Sequence, residues 1–257
     1  MLEIISSEKT RICYFTCLKQ IAKEFTMNHD PKEVNKFDSL STDWWQKQGA
    51  FKTLHDINPL RIKFITDQMA VANKKIIDIG CGGGILTASL AIKEAAMTGI
   101  DLSTNAIHCA KKHADEQGLT VDYQVISTEE MAVKFPESFD IVICMELLEH
   151  VPNPASLIKA CSDLCKPGGQ LFFSTINRNP KAYLLAVIAA EYLLKMLPQG
   201  THDYKKFITP AELEQYCRQA KLIAKHFTGL NYNPLTKQYK LSENISINYL
   251  LHCVKNV

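Results

Sequence analysis

Residues 75–84 read Lys75-Ile-Ile-Asp-Ile-Gly-Cys-Gly-Gly-Gly84, and this stretch decides the fold. The apolar run that ends at Ile79 predicts a buried strand, and the apolar positions from Ile85 onward predict a helix. The glycines between them allow a sharp turn with positive φ and let a ligand approach the main chain closely. A strand, a glycine turn and a helix N-terminus together predict a cradle about the size of a nucleotide.

The acid before the glycines discriminates between nucleotide cofactors. Asp78 lies two residues before Gly80, at the strand tip, where a carboxylate would repel a pyrophosphate but attract the ammonium group of a methionine moiety. The dinucleotide fingerprint G-x-G-x-x-G fails, because its sixth position is Ile85, so nicotinamide-dependent reduction is disfavoured. The alternating D-x-G-x-G-x-G pattern resembles the S-adenosylmethionine loop of class I methyltransferases, which implies cofactor contacts at Asp78, Gly80 and Gly82.

A second acid follows the next predicted strand. Asp101 lies about 20 residues beyond the loop, where a carboxylate can accept hydrogen bonds from both ribose hydroxyls of an adenosine. Many doubly wound enzymes share such an acid. Its significance here is that it occurs together with the glycine loop and with Asp78.

The chain beyond residue 75 alternates between strand and helix patterns. The strands predicted before residue 175 are Lys75–Ile79, Ala96–Ile100, Thr120–Ile126, Phe139–Cys144 and Gln170–Ser174. The helices predicted between them are Ile85–Glu94, Thr104–Gln117 and Ala155–Cys165. A helix at Pro210–Ala220 and strands at Lys221–Thr228 and Ile245–Val254 are predicted to follow. This alternation predicts a doubly wound, mostly parallel sheet with helices on both faces and an antiparallel edge strand. Together with the glycine loop, it resembles the class I methyltransferases, which implies their seven-stranded sheet.

The bulk composition excludes several classes of protein. A chain of 257 residues with 46% hydrophobic and 22% charged residues is typical of one globular domain with additions. Twenty-nine basic against 27 acidic residues argue against a nucleic-acid binder that depends on bulk charge. The nine cysteines lack C-x-x-C pairs, which predicts free thiols and no zinc site. Cys81 is expected only to fit within the glycine loop. The sequence has no apolar run of about 18 residues, so it predicts no membrane span.

Five further blocks of sequence indicate a narrower family within the methyltransferases. They are Trp44-Trp45, Asn58-Pro-Leu-Arg61, Cys144-Met-Glu-Leu-Leu-Glu-His-Val-Pro152, Ser174-Thr-Ile-Asn-Arg178 and Gly200-Thr-His-Asp203. Together they closely resemble the bacterial ubiquinone-biosynthesis O-methyltransferases. The resemblance implies an S-adenosylmethionine-dependent enzyme that methylates catechol-type hydroxyls of polyprenyl intermediates at both O-methylation steps. It places the methyltransferase domain at residues 34–257 and leaves residues 1–33 as an extension that is disordered or a leader.

The resemblance also implies cofactor contacts at Arg61, Gly80, Asp101 and Met145. Arg61 would pair with the methionine carboxylate, since guanidinium and carboxylate match as a fork. Composition alone favours a surface cation there, on a helix that Pro59 is expected to open at its first turn. Met145 would offer a polarizable surface beside adenine or the methionine chain.

The run Glu146-Leu-Leu-Glu-His150 carries the predicted chemistry. A phenolic hydroxyl has a pKa near 10, so its methylation at neutral pH needs help. A neutral His150 could take the proton, with Glu149 as a second catalytic residue, or a divalent cation could stabilise the phenolate. On a helix, Glu146, Glu149 and His150 would share one face and form a ligand set for Mg²⁺. Three alternatives stay open: Glu149 as a helix-start acid, Glu146 as a substrate or backbone contact, and His150 as a packing residue.

The segment 183–197 is almost entirely apolar. As a helix it would be about 22 Å long, too short to cross a bilayer. It is either a buried helix over the sheet or an interfacial helix, and the flanking basic residues suit an anionic leaflet. We therefore expect residues 178–206 to form a substrate lid that contacts the membrane through residues 182–197, with His202 and Asp203 near the acceptor.

These features define the expected setting of the protein. We expect a cytoplasmic protein, peripheral on the inner face of the cytoplasmic membrane, with a polyprenyl catechol substrate and other ubiquinone-biosynthesis enzymes as partners. The expected cofactor is S-adenosylmethionine, with Mg²⁺ as the second option. Two other functions remain open. One is methylation of a different phenolic acceptor, and the other is a catalytically silent subunit that organises a biosynthetic complex.

Overall fold

The computed structural model describes residues 28–39, 44–49, 51–184 and 204–257. Its strands are β1 Lys75–Ile79, β2 Ala96–Asp101, β3 Val121–Val125, β4 Phe139–Met145, β5 Cys165–Ile176, β6 Leu222–Asn233, β7 Gln238–Ser242 and β8 Asn248–Lys255. Its helices are α1 Pro31–Ser39, α2 Lys52–Gln68, α3 Ile85–Ala91, α4 Thr104–Glu116, α5 Thr128–Lys134, α6 Pro154–Leu164 and α7 Pro210–Gln219. Shorter helical turns are Leu148–His150, Pro180–Ala182 and Tyr204–Lys206.

The strands form one sheet in the order β3-β2-β1-β4-β5-β8-β6-β7. The first five are parallel, whereas β8 runs antiparallel to β5 and β6, and β7 runs antiparallel to β6. The predicted mostly parallel sheet with an antiparallel edge is therefore confirmed. The predicted number of seven strands is wrong, because the described chain has eight. The additional strand β7 is short and polar, and it pairs only with β6 as a hairpin, so it lacks the apolar run of a buried strand.

The sheet separates two hydrophobic clusters. Ile77 and Ile79 of β1 belong to the cluster beneath α6 and α7, whereas Ile76 belongs to the cluster beneath α2 and α3. Side chains alternate between the two faces of a strand, and both faces of β1 are covered. This double coverage explains why β1 is almost continuously apolar. Asp78 is the one charged residue among its four buried positions.

The folded region begins earlier than residue 34. Helix α1 crosses that boundary, and Asn28 before it already contacts the domain. The Asn28 amide nitrogen donates to Glu129 Oε1 at 2.9 Å, and the Asn153 backbone N–H donates to Asn28 Oδ1 at 2.9 Å. Residues 28–33 therefore contact the region that the sequence assigns to the methyltransferase domain. Residues 1–27 lie outside the described residues.

Helix α2 differs from its prediction. Pro59 lies well inside the helix and not in its first turn. A proline cannot donate the hydrogen bond of its turn, which disfavours it there. The turns before it stay helical while Phe51 and Ile57 are buried against the domain. None of the helices in the described parts of the chain is long and apolar enough to cross a membrane.

Candidate active site

The carboxyl ends of three neighbouring strands carry predicted cofactor residues. Asp78 is the penultimate residue of β1 and pairs in register with Gly99 of β2 and with Ile143 of β4. Asp101 and Met145 are the last residues of β2 and β4. Because these strands are parallel neighbours, the sheet brings all three residues to one edge, where ligands of open α/β sheets bind.

The glycine loop follows β1 in a conformation that side chains disfavour. Gly80, Gly82 and Gly84 have φ values of 67°, 52° and 81°. A Cβ atom on Gly80 would lie 2.7 Å from Leu147 Cδ2, so the loop after β4 packs directly on this glycine. That contact places residues 146–150 beside the loop that is predicted to hold the cofactor.

Two tryptophans cover the same loop. A Cβ atom on either Gly82 or Gly83 would lie 2.3 Å from the Trp44 ring, which is buried. The Trp45 Nε1–H donates to the Gly83 carbonyl at 2.9 Å. The Trp44 ring also stacks on Phe51, with 3.7 Å between the ring centroids. The N-terminal segment is therefore a structural wall of the glycine loop.

Asp78 is buried beneath the loop and anchored to helix α3. The Thr87 hydroxyl donates to Asp78 Oδ2 at 2.6 Å. Burial raises the pKa of the Asp78 carboxyl to about 6, whereas the Thr87 hydrogen bond and the Arg61 charge lower it. A cation bound above this carboxylate would favour its ionised form. The surroundings therefore fit the ammonium group of a methionine moiety.

Asp101 is held by the backbone on both oxygens. The Gly82 N–H donates to Oδ2 at 3.0 Å, and the Ser103 N–H donates to Oδ1 at 2.8 Å. Burial raises the pKa of Asp101, and these backbone hydrogen bonds oppose that effect. Each carboxylate oxygen has a further lone pair, so Asp101 is oriented but can still accept ribose hydroxyls. The Ser103 hydroxyl donates in turn to Asp38 Oδ1 of helix α1 at 2.6 Å.

Arg61 is buried on helix α2 with unsatisfied hydrogen-bond donors. Its Nε and Nη2 groups make no hydrogen bond, and Nη2 lies 3.6 Å from Glu146 Oε1. Buried donors without partners are rare and point to a missing ligand. A carboxylate would satisfy both donors as a fork. Together with Asp78, Asp101 and the glycine loop, Arg61 therefore fits the amino acid and ribose groups of S-adenosylmethionine.

Residues 146–150 do not form the expected helical face. Glu146 has φ of 54°, and only Leu148–His150 is helical, as a 3-10 turn. Ser174 of β5 holds Glu146, because its hydroxyl accepts from the Glu146 N–H at 2.9 Å and donates to Glu146 Oε1 at 2.8 Å. Across the described residues no three metal-ligating side chains converge. Within the described residues, Glu146, Glu149 and His150 are therefore not brought together as a three-residue ligand set.

Glu149 is a buried carboxylate with one satisfied oxygen. The Thr175 hydroxyl donates to Oε2 at 2.8 Å, whereas the buried Oε1 has no hydrogen-bond partner. Burial raises the pKa of Glu149, the Glu146 charge raises it further, and His150 lowers it. Oε1 is therefore an acceptor that a ligand or a transferred proton could satisfy.

His150 is paired with an acid from the N-terminal part of the described chain. Its Nδ1 lies 3.0 Å from Glu33 Oε2, across 117 residues of sequence. Beside an ionised carboxylate, which only accepts hydrogen bonds, a neutral imidazole would carry its hydrogen on Nδ1.

Two further predicted positions are buried, and two lie outside the described residues. Met145 belongs to the cluster beneath α2 and α3. Burial raises the pKa of the Cys81 thiol well above its ordinary value, which keeps it protonated and unreactive. His202 and Asp203 fall in the stretch 185–203, which is not described.

Four residues that contact the predicted site residues, directly or through one neighbouring residue, were not predicted from the sequence. They are Glu33, Asp38, Thr87 and Ser174. A threonine in the first turn after a glycine loop is a local signal that could have indicated the partner of Asp78. The other three act across elements that are distant in sequence, and a single sequence carries no signal for such contacts.

The fold and this site define a class I S-adenosylmethionine-dependent methyltransferase. A family model described as a methyltransferase domain matches residues 54–222. Magnesium protoporphyrin IX methyltransferase from Synechocystis PCC 6803 with bound SAH has a TM-score of 0.61 at 17% identity, covering 86% of this chain and 94% of its own. A methyltransferase from Thermotoga maritima has a TM-score of 0.62 at 17% identity, covering 87% and 100%. At this identity both structures show the fold alone.

Sequence relatives identify the family. The ubiquinone biosynthesis O-methyltransferase of Stutzerimonas stutzeri is 54% identical over 228 residues, which is 89% of this chain and 98% of the relative. That of Saccharophagus degradans is 53% identical over 230 residues, again 89% and 98%. The chain therefore belongs to the family of ubiquinone biosynthesis O-methyltransferases, and it is an S-adenosylmethionine-dependent O-methyltransferase.

Proposed function

We propose that this O-methyltransferase acts on catechol-type hydroxyls of polyprenylated intermediates, at both O-methylation steps of ubiquinone biosynthesis. The pairing of His150 with Glu33 is the observation that carries the proposal. It provides an oriented imidazole in the loop that packs on the cofactor glycine Gly80 through Leu147. The family to which the chain belongs supports the pathway.

His150 is the general base of the proposed reaction. A phenolic hydroxyl with a pKa near 10 is mostly protonated at neutral pH, so its oxygen is a weak nucleophile. Nε2 of His150 takes that proton as the oxygen attacks, and Glu33 stabilises the imidazolium that forms. S-adenosylmethionine supplies a methyl group made electrophilic by its positively charged sulfur.

Glu149 would make the proposed site select catechols over simple phenols. A catechol carries two adjacent hydroxyls, of which His150 deprotonates one. The buried Oε1 of Glu149 has no partner and would accept a hydrogen bond from the other. A simple phenol would leave this buried acceptor unsatisfied, and such a group typically costs about 1–3 kcal/mol.

The proposed cofactor contacts divide the ligand between elements. Arg61 of α2 holds the methionine carboxylate, and Asp78 of β1 holds the ammonium group. Asp101 of β2 accepts the ribose hydroxyls. Gly80 and Gly82 let the main chain approach the ligand, and Met145 lies beneath it. These roles are supported by the unpartnered donors of Arg61 and by the open lone pairs of Asp101.

A substitution at His150 tests the chemistry. His150→Ala should lower kcat by at least tenfold on a short-chain catechol, because a general base typically contributes about 10²–10⁴-fold. Calorimetry should show nearly unchanged affinity for S-adenosylhomocysteine. His108→Ala is the matched control, since His108 is exposed on α4. Turnover unchanged in His150→Ala would reject the base.

The choice of acceptor is tested separately. Transfer of a labelled methyl group is measured to short-chain analogues of the early and the late catechol intermediates. Comparable kcat/KM values for the two analogues would support both steps. Faster transfer to a monophenol than to either catechol would reject the catechol specificity and indicate a different phenolic acceptor.

We also propose that residues 178–206 form a substrate lid that contacts the membrane through residues 182–197. In the described part of this segment, Tyr183 and Leu184 are 42% and 54% exposed. A polyprenyl tail remains in the bilayer, so the enzyme must meet its substrate at the membrane surface. Residues 185–203 lie outside the described part of the chain.

Liposome flotation with anionic vesicles tests this contact. Replacing Leu184 and Leu185 together by Asp should reduce flotation, because charged side chains are poorly tolerated beneath the headgroups. Leu235→Asp is the control, since Leu235 is 93% exposed in the hairpin between β6 and β7. Equal flotation of the double variant and the parent would rule out the proposed surface.

A further inference from the structure

We propose that Glu33 is a positioning residue for His150, fixing the orientation and the tautomer of the imidazole during methyl transfer. The inference rests on the proposed role of His150 as the base. Helix α1, which carries Glu33, therefore contributes to the reaction as well as to folding.

The Glu33–His150 contact lies in a sheltered place. The side chains are only 22% and 11% exposed, with 3.0 Å between Glu33 Oε2 and His150 Nδ1. A pair that is largely removed from water is less screened than a surface pair. It can therefore restrict the rotation of the imidazole, which an exposed ion pair does poorly.

Helix α1 is anchored on both sides of Glu33. Before it, Asn28 is hydrogen-bonded in both directions with Asn153, three residues beyond His150. After it, the Asp38 carboxylate accepts from the Ser103 hydroxyl at 2.6 Å and from the Asn105 side chain at 2.7 Å. These anchors connect α1 to the chain just after His150 and to the start of α4. The position of the Glu33 carboxylate is therefore defined from two directions.

The other oxygen of Glu33 faces a cation. Glu33 Oε1 lies 3.8 Å from Lys206 Nζ, and Asp30 Oδ2 lies 3.9 Å from the same nitrogen. Lys206 therefore places a positive charge beside the carboxylate that contacts His150. The two oxygens of Glu33 therefore face His150 and Lys206.

Geometry assigns each nitrogen of His150 a task. With Nδ1–H directed at Glu33, Nε2 is the nitrogen that accepts the phenolic proton in the proposed reaction. Without the carboxylate, the imidazole can rotate and can adopt the other tautomer, which presents N–H where the base needs a lone pair. The expected defect is in kcat, because the ground-state binding of both substrates does not depend on this lone pair.

The alternative is that Glu33 only stabilises its helix. It is the acid in the first turn of α1, where a negative charge is favourable by about 0.3–1 kcal/mol. Glu130→Gln is the matched control for this effect, since Glu130 is an exposed acid in the first turn of α5. A purely structural role would make Glu33→Gln resemble Glu130→Gln in stability and activity.

A double-mutant cycle tests the proposal. Glu33→Ala should lower kcat about tenfold or more, while KM for both substrates changes less than threefold. Glu33→Gln should retain more activity than Glu33→Ala, because its amide oxygen can still accept the Nδ1–H. In the His150→Ala background, Glu33→Ala should have no further effect on kcat, since residues that act through one another are not additive. Glu130→Gln should match the parent.

Several outcomes would overturn the proposal. Equal fold-losses from Glu33→Ala in the parent and in the His150→Ala background would show that Glu33 does not act through His150. If Glu33→Ala is fully active and His150→Ala is impaired, the positioning role of Glu33 is rejected and the proposed function is retained. If His150→Ala is fully active, both the role of His150 as the base and the positioning role of Glu33 are rejected. Unchanged tryptophan fluorescence and S-adenosylhomocysteine affinity of Glu33→Gln would establish that the segment before the glycine loop remains docked.

Discussion

Gly82→Ala should disrupt the packing of Trp44 on the glycine loop. Gly82 has φ of 52°, a conformation that a side chain disfavours. A Cβ atom there would also lie 2.3 Å from Cη2 of Trp44. The substitution therefore adds backbone strain and forces a buried ring to move.

The two costs can be separated. A left-handed conformation costs a non-glycine residue about 1–2 kcal/mol. Overfilling a packed site costs about 1–3 kcal/mol more. The free energy of unfolding should therefore fall by about 2–5 kcal/mol in Gly82→Ala. Gly118→Ala should lose only about 1–2 kcal/mol, because Gly118 has φ of 64° and a Cβ atom there meets nothing within 4 Å.

Denaturant unfolding followed by tryptophan fluorescence is a direct assay, because Trp44 and Trp45 are the two tryptophans of the chain. Gly82→Ala should also weaken binding of S-adenosylhomocysteine, while Gly118→Ala should not. In a Trp44→Ala background the cost of Gly82→Ala should fall to that of Gly118→Ala. Equal costs for the two glycine substitutions in the parent, with unchanged fluorescence, would refute the packing of Trp44 on the loop.

Three further substitutions test the charges of the cofactor site. Asp78→Asn should abolish a fall in the free energy of unfolding between about pH 4 and pH 6, up to about 1.4 kcal/mol per pH unit. Because the pKa of Asp78 is raised to about 6, the folded protein between these pH values holds a proton that the unfolded chain has lost, so stability falls as the pH rises. Urea unfolding at several pH values measures this slope, and an unchanged slope in Asp78→Asn would contradict the assignment to Asp78. Arg61→Met should weaken binding of S-adenosylhomocysteine about tenfold or more, the scale of a lost charged hydrogen bond, but leave methylthioadenosine, which lacks the amino acid, unaffected by calorimetry. Asp101→Asn should weaken both ligands, and retention of either affinity would argue against its ribose contact.

Short-range patterns predicted most of the fold. The alternation of apolar runs and glycine turns placed β1 to β4 and the helices α3, α4 and α6 within three residues of their observed bounds, whereas β5 begins five residues before its predicted start. The elements Thr128–Lys134 and Gln238–Ser242 were not predicted. Both are short and rich in polar residues, so neither carries the long apolar periodicity on which such predictions depend.

The interpretation of residues 146–150 shows where local reasoning fails. A spacing of three and four residues places side chains on one face only if the backbone is helical. Here Glu146 is left-handed and is held by Ser174, a residue of the neighbouring strand. Contacts from β5 therefore stabilise the backbone conformation of Glu146, and the residues near Glu146 in sequence do not provide them.

Local sequence alone places a glycine turn and two acids at one edge of the sheet. The glycine turn and the positions of Asp78 and Asp101 follow from near neighbours in the chain, and parallel strands bring their carboxyl ends together. That Trp44 covers the loop and that Glu33 faces His150 follows only from the folded arrangement. Those contacts join segments far apart in sequence, and packing across elements has no local pattern.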